Sequence, residues 1–354
     1  MQTINHPLGY GSIHPIFNEI ERFYALTSTK TLQSQNVLFK VSFDNAFETL
    51  QSLFNQYGGN AYNFNLVDKQ YAKLPRVDYD DNNLILLFSG GKDSTATAVK
   101  YKNLGYNVYL FHVKGINKSY PDEWKSAQAI ADYLELPIYY AQFESKGKLE
   151  FTEHPMKNMI LANMAIEWGI KNNIGYKILC GNYILGDLNP SSFYINGDDI
   201  STMWDAYDKI VRKAIPDYYT LMGLRNPKET MTVLSKDMKL LGLCQSCLGA
   251  QRFRQWNHDN NEKKYGIKLL DNRCGSCWKC CVEYIYLADH DLLEYDEPYY
   301  IHCLDVIKKA DKRENGESFV DAEYMWTGYF QYDIQKSKYK DIMNYGRHNK
   351  KCSQ

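Results

Sequence analysis

The rhythm of apolar and polar positions changes near residue 80. From there, short continuous apolar runs alternate with longer segments whose apolar residues recur every three or four positions. Residues 84–88 (LILLF), 107–113 (NVYLFHV), 137–143 (PIYYAQF) and 176–182 (YKILCGN) are the runs. Unbroken apolar stretches of this length mark strands buried on both faces. Between them, residues 121–136 set Trp124, Ala127, Ala131 and Leu134 at helical spacing, with Pro121 suited to a first turn. Residues 156–173 (MKNMILANMAIEWGIKNN) read as a long helix with a buried face. Strands alternating with helices predict parallel β-α-β units. The expected fold is therefore α/β, a doubly wound parallel sheet whose ligands lie beyond the strand C-termini.

Residues 1–80 do not share this rhythm and are expected to form an α+β N-terminal extension. In it, residues 37–43 (VLFKVSF) read as a strand and residues 44–59 as an N-capped helix ending near Gly58. Residues 72–83 (AKLPRVDYDDNN) look like a linker into the sheet. The nucleotide-type α/β domain is placed at 81–243, a cysteine-rich lobe at 244–290 and a C-terminal extension, helical in part, at 291–354. Within the last, 308–318 is a polar loop and the basic end of the chain a solvated tail.

Residues 89–94, Ser-Gly-Gly-Lys-Asp-Ser, fall between the first strand and a helical segment that carries Ala96, Val99 and Leu104. A Walker A loop would need Ser or Thr after the lysine and a glycine in place of Leu86, so this is not one. It keeps the logic of an anion site, because Gly90 and Gly91 permit a tight turn and the following helix start attracts phosphate.

Composition narrows the setting. The 354 residues are 44% apolar with a formal net charge of −1, which provides a core but no overall drive toward nucleic acid or a membrane surface. No apolar run approaches the ~20 residues that span a bilayer, and the N-terminus lacks a signal-peptide pattern. A cytoplasmic protein is expected. Its nine cysteines are then not expected as disulfides.

Six of them cluster: Cys244 and Cys247, then Cys274, Cys277, Cys280 and Cys281. Tandem C-x-x-C steps with another cysteine a loop away have the spacing of a tetrahedral zinc site, and Gly275 suits the tight knuckle. A redox pair would open a helix in a thioredoxin-like unit, a context missing here. An iron–sulfur cluster also takes four thiolates, and spacing does not separate the two.

The order S-G-G-x-D-S resembles the signature of the PP-loop ATP pyrophosphatases. The cysteine pattern is similar to that of their 7-cyano-7-deazaguanine synthase branch, which carries a Ser-Cys step and then C-x-x-C-x-x-C. The resemblance covers roughly residues 82–290. It implies that Ser89, Gly90, Gly91, Lys92, Asp93, Ser94, Lys157 and Asn158 bind ATP, with Lys92 and Asp93 as the catalytic pair and Mg²⁺ as companion ion. It implies Zn²⁺ on Cys247, Cys274, Cys277 and Cys280, with Cys244 and Cys281 as alternates. Lys157-Asn158 stands where the family carries Arg-Asn, and Gly181-Asn182, then Asp198-Asp199, where it carries G-x-N and an acidic turn. Residues 199–213 and 226–247 match its two helices leading to the zinc lobe. The implied activity is adenylylation of the carboxylate of 7-carboxy-7-deazaguanine, ATP going to AMP and pyrophosphate, followed by amidation to the nitrile or a related product. A second expectation, drawn from relatives in anti-phage operons, makes a protein encoded nearby the amine acceptor. A third is a tRNA-modifying PP-loop enzyme. Residues 112–124 (HVKGINKSYPDEW) lack the Tyr-Gly-Gln-x-His stretch usual after the second strand, keeping only Gly115. A homodimer is one option for the assembly, and neither a membrane nor nucleic acid is the expected partner.

Overall fold

The computed structural model describes residues 3–6, 13–28, 38–57, 63–75, 77–115, 122–143, 156–183, 197–224, 227–245 and 251–310. The chain divides into two compact units, Met1–Arg225 and Asn226–Gln354.

The first unit is built on strands β1 (Thr3–His6), β4 (Asn83–Leu87), β5 (Asn107–Lys114), β6 (Ile138–Phe143), β7 (Ile178–Tyr183) and β8 (Leu221–Leu224). They form a sheet in the order β1-β6-β5-β4-β7-β8, and every pairing in it is parallel. From β4 the chain steps one way to β5 and β6, then crosses back to β7 and β8. The connecting helices are α3 (Lys92–Asn103), α4 (Glu123–Leu134), α5 (Lys157–Lys171) and α6 (Gly197–Val211). With right-handed crossovers, the reversal puts α3 and α4 on one face and α5 and α6 on the other. Packing agrees with that assignment. Ile85, Phe111, Ala141 and Ile178 share a core with apolar residues of α5 and α6, while Leu84, Leu86, Val108 and Leu110, all buried, alternate to the α3 and α4 face. The doubly wound sheet is as expected, and its reversal lies between β4 and β7.

The N-terminal residues are part of this unit. β1 pairs along β6, and α1 (Pro15–Ser28) lays Ile16, Phe17, Ile20, Phe23 and Tyr24 into the same core, each fully buried. β2 (Leu38–Asp44) and β3 (Asn63–Val67) make a separate parallel pair. The Asp44 side chain accepts from Ala46 N and caps a 3-10 turn that runs into α2 (Glu48–Tyr57), matching the expected capped helix. Neither β1 nor α1 was anticipated.

In the second unit, the helix expected over 226–247 is two helices, α7 (Pro227–Leu234) and α8 (Met238–Leu243). Asp237 adopts an extended conformation between them and caps α8 through Leu240 N, so the chain breaks where its own cap starts a new helix. Then follow α9 (Gln251–Tyr265), α10 (Trp278–Asp289) and α11 (Glu297–Ala310), the last being the helical part expected beyond 290.

Candidate functional site

The six-residue loop occupies the end of β4, beside the sheet's reversal, where α/β sheets place their ligands. Gly90 has φ +75°, and a Cβ there would stand 3.0 Å from Ala127 N and 3.1 Å from its Cα in α4; only glycine turns this corner. Ser89 Oγ accepts from Gly91 N at 3.2 Å and lies 3.3 Å from Ser94 Oγ. Ser94 and Thr95 hydroxyls both donate to Gly91 O, at 3.2 and 2.8 Å, which ties the loop to the first turn of α3. On the far side Gly181 of β7 lets α3 come close: a Cβ there would lie 2.9 Å from Ser94 N.

A cavity of about 260 Å³ opens at these strand ends. Three helices send their N-termini to it: Asp93 and Ser94 from α3, Glu123 from α4, Lys157 and Asn158 from α5. None of the three has a side-chain cap on its first turn, the N-cap positions being Gly91, Asp122 and Met156. Helix starts without caps direct N–H groups and the positive end of the dipole outward, so three together make a strong anion site. Lys157 adds a cation. Burial lowers its pKa and the nearby Glu123 carboxylate opposes that shift.

Ser89, Asp93, Ser94, Lys157 and Asn158, named separately from the loop and from the Lys-Asn step, line one cavity. Gly90 and Gly91 shape the turn. Lys92 is only 5% exposed and does not line the cavity; among the described residues, the cation that lines it is Lys157. Motif reading passed over Glu123 and His112, which also line it. Their positions at a helix start and a strand end of a β-α-β unit were the available signal. Cys180 lines the wall too, but burial pushes its thiol well above the usual range, which makes it inert.

In the second unit, the Sγ atoms of Cys274, Cys277 and Cys280 all lie within 4.8 Å of one another. Cys277 and Cys280 are 3.4 Å apart and Cys274 and Cys280 3.9 Å. A tetrahedron with Zn–S bonds of ~2.3 Å has edges of about 3.8 Å, so the three thiols fit one ion; a multi-iron cluster spreads its thiolates more widely. Ser276 N and Cys277 N donate to Cys274 Sγ at 3.4 and 3.3 Å, as suits a thiolate. Gly275 has φ +68°, and its carbonyl accepts from Tyr299 Oη at 2.9 Å. Asn261 braces the same turn through Cys274 O and Ser276 Oγ. The fourth expected ligand, Cys247, lies outside the described residues, as does Pro121. The two alternates face elsewhere: Cys244 Sγ donates to Leu240 O at 3.3 Å. Cys281 Sγ donates to Gly275 O at 3.8 Å, and its hydrogen bond with Cys303, aided by burial, raises its pKa.

Arg273, buried beside the knuckle, was also passed over. It donates to Glu283 at 2.6 Å, to Cys244 O at 2.7 Å and to Leu241 O at 3.1 Å, joining α8, the knuckle and α10.

Among solved structures, the chain is similar to the NMN synthetase from Francisella tularensis, at 12% identity over 75% of this chain and 94% of that one. The TM-score is 0.34, and at that score the likeness carries no functional weight. No protein-family model and no curated protein matches the chain. Among the described residues, no helix is long and apolar enough to cross a membrane.

Proposed function

We propose that this chain is an ATP-dependent C–N ligase of the PP-loop type, activating a heteroaromatic carboxylate as its adenylate and passing it to an amine. The supporting observation is the convergence of Ser89, Asp93, Ser94, Lys157 and Asn158 on a cavity ringed by three helix N-termini. A substrate carboxylate oxygen attacks the α-phosphorus, the bond to the β-phosphate's bridging oxygen breaks, and pyrophosphate leaves with the electron pair. The Ser89 and Ser94 hydroxyls and the first turn of α3 hold the leaving group, and Lys157 offsets its growing charge. Magnesium, when bound, neutralises phosphate charge, and Asp93 is the carboxylate placed to hold it. An amine then attacks the acyl carbon, expels AMP and sheds a proton to give an amide.

The resemblance to 7-cyano-7-deazaguanine synthase makes 7-carboxy-7-deazaguanine the substrate and ammonia the first amine. A second ATP activates the amide oxygen, whose loss with two N–H protons leaves the nitrile. Zinc on Cys274, Cys277, Cys280 and Cys247 serves the second unit structurally. A second reading keeps the adenylate and makes the amine that of a protein encoded nearby. It is favoured by residues 112–124, which depart from the synthase pattern beside His112 and Glu123 of the cavity. Mass spectrometry of co-expressed neighbours separates the two, a deazaguanine-sized addition marking the second.

ATP–pyrophosphate exchange dependent on 7-carboxy-7-deazaguanine tests the shared step without reference to the amine. We expect exchange by the native chain and at least a ~100-fold loss in Asp93→Ala with unchanged melting. Equal exchange by the variant would sink the proposal.

A further inference from the structure

Resting on the activation reading above, we propose that His112 reads the nucleotide's base, as a fixed hydrogen-bond acceptor for the exocyclic amine of an adenine-type ring. His112 is in β5, registered against Tyr140 of β6. It is 3% exposed and forms part of the cavity wall. Its Nδ1 lies 2.9 Å from Phe88 O, the carbonyl just before the phosphate loop. A carbonyl oxygen only accepts, so Nδ1 carries the proton, and in the neutral ring Nε2 is then an acceptor. The Tyr140 ring meets it edge-on at 5.7 Å between centroids, which fixes the imidazole plane. Among the described residues, no hydrogen-bond partner of Nε2 is present.

The character of that acceptor decides which part of a ligand it can face. Burial is the main cause holding the His112 pKa down to about 4, so the ring is uncharged at any working pH. A neutral acceptor repels a phosphate oxygen and cannot serve the anion site formed by the helix starts. It suits an N–H donor on a group that also tolerates apolar surroundings. Leu87, Phe88, Phe111, Val113 and Leu161 supply those surroundings in the same cavity. A flat aminopurine meets both conditions. Its amine donates to Nε2, whereas the oxo group of a 6-oxopurine would set one acceptor against another and leave the buried nitrogen unsatisfied.

The test is equilibrium binding of ATP and of inosine triphosphate, which differ at the 6-position, to the full chain. The native protein should favour ATP by about tenfold or more, the worth of one such hydrogen bond plus its mismatch. His112→Phe, which keeps the ring's bulk and loses the acceptor, should bring the ratio close to one by weakening ATP. His112→Gln retains an acceptor and should keep part of the preference. The ratio is the diagnostic, because a merely structural histidine would weaken both nucleotides alike. Equal binding by the native chain, or an unchanged ratio in His112→Phe, overturns the proposal alone. Failure of the native chain to bind either nucleotide overturns the activation reading and this proposal with it.

Discussion

In the sheet unit the anion site rests on apolar packing, whereas in the cysteine unit the polar groups do the holding. β4 is buried from both sides, Ile85 on one face and Leu84 and Leu86 on the other. The loop that follows is placed by that strand and by glycines that let α4 and α3 approach. The cavity wall draws on the same packing, through Phe88, Phe111 and Val113, all buried. Around the knuckle the order of cause is reversed. Backbone N–H groups point at Cys274 Sγ, Asn261 and Tyr299 grip the turn, and a buried Arg273–Glu283 pair closes it. Three thiols within 4.8 Å of one another could hold one metal ion, whose charge would offset the mutual repulsion of their thiolates. The first region carries its site on a packed apolar core; the second carries its own on polar braces around three thiols.

Metal removal should separate the regions most. Chelation, or Cys277→Ser, should forfeit binding free energy on the order of 10 kcal/mol and release the knuckle and α10 to rapid hydrogen exchange. Peptides from β4, β5 and β7 should stay protected. One zinc per chain by elemental analysis of the native protein, lost in the variant, is the companion measurement. A chelated protein whose knuckle stayed as protected as the sheet would show both regions to be held by packing, and the contrast would fail.

Next in size is the buried ion pair. Arg273→Met removes the guanidinium that pairs with the Glu283 carboxylate, 2% exposed, at a cost of about 3–5 kcal/mol. Adding Glu283→Leu should recover much of that, because two apolar side chains of similar volume avoid the uncompensated charge. Recovery should remain incomplete, since Cys244 O and Leu241 O also lose their donor. Urea denaturation of the two single variants and the double variant gives the coupling directly. Zero coupling would mean that the carbonyl bonds, not the charge pair, hold the knuckle.

The contrast also explains what could be read from the sequence. The central strands were legible because burial on both faces leaves unbroken apolar runs, and α5 because its apolar residues follow helical spacing. The Ser89–Ser94 loop and the cysteine knuckle were legible because each is local, its spacing carrying its geometry. β1 was not, because TINH has no apolar run and becomes a strand only by pairing along β6. Nor was β8, four residues long, where Gly223 serves close packing: a Cβ there would meet Thr97 at 2.3 Å. α1 does carry its pattern in Ile16, Phe17, Ile20, Phe23 and Tyr24, which was overlooked behind a polar N-terminus. The remaining misses in the site are long-range. His112 and Glu123 reach the cavity through strand register and helix placement, and neither of these nor the burial of Lys92 is encoded in local spacing.

The smallest expected effect concerns acid, which should act on the two regions by different routes. His112 is held neutral in the folded state, its pKa lowered to about 4 chiefly by burial, with Lys114 adding to the shift and the Phe88 bond opposing it. In the unfolded chain the same ring takes a proton near pH 6.5. The stabilisation is therefore fully present above pH 6.5 and is lost as pH falls toward 4, where both states carry the proton. A shift of this size amounts to about 3 kcal/mol across that window. Asp93, Glu123 and Lys157 share the cavity and Lys114 and Tyr140 flank the ring, so the slope has to be assigned by a variant rather than by pH alone. Hydrogen exchange of β4 and β5 peptides, compared between the native chain and His112→Phe at pH 7 and again at pH 5, supplies that assignment. The native sheet should lose protection relative to the variant at the lower pH. The knuckle should respond equally in both, because the substitution lies outside it. A variant sheet that loses as much protection as the native one would remove His112 as the cause and return the acid response to the carboxylates of the cavity.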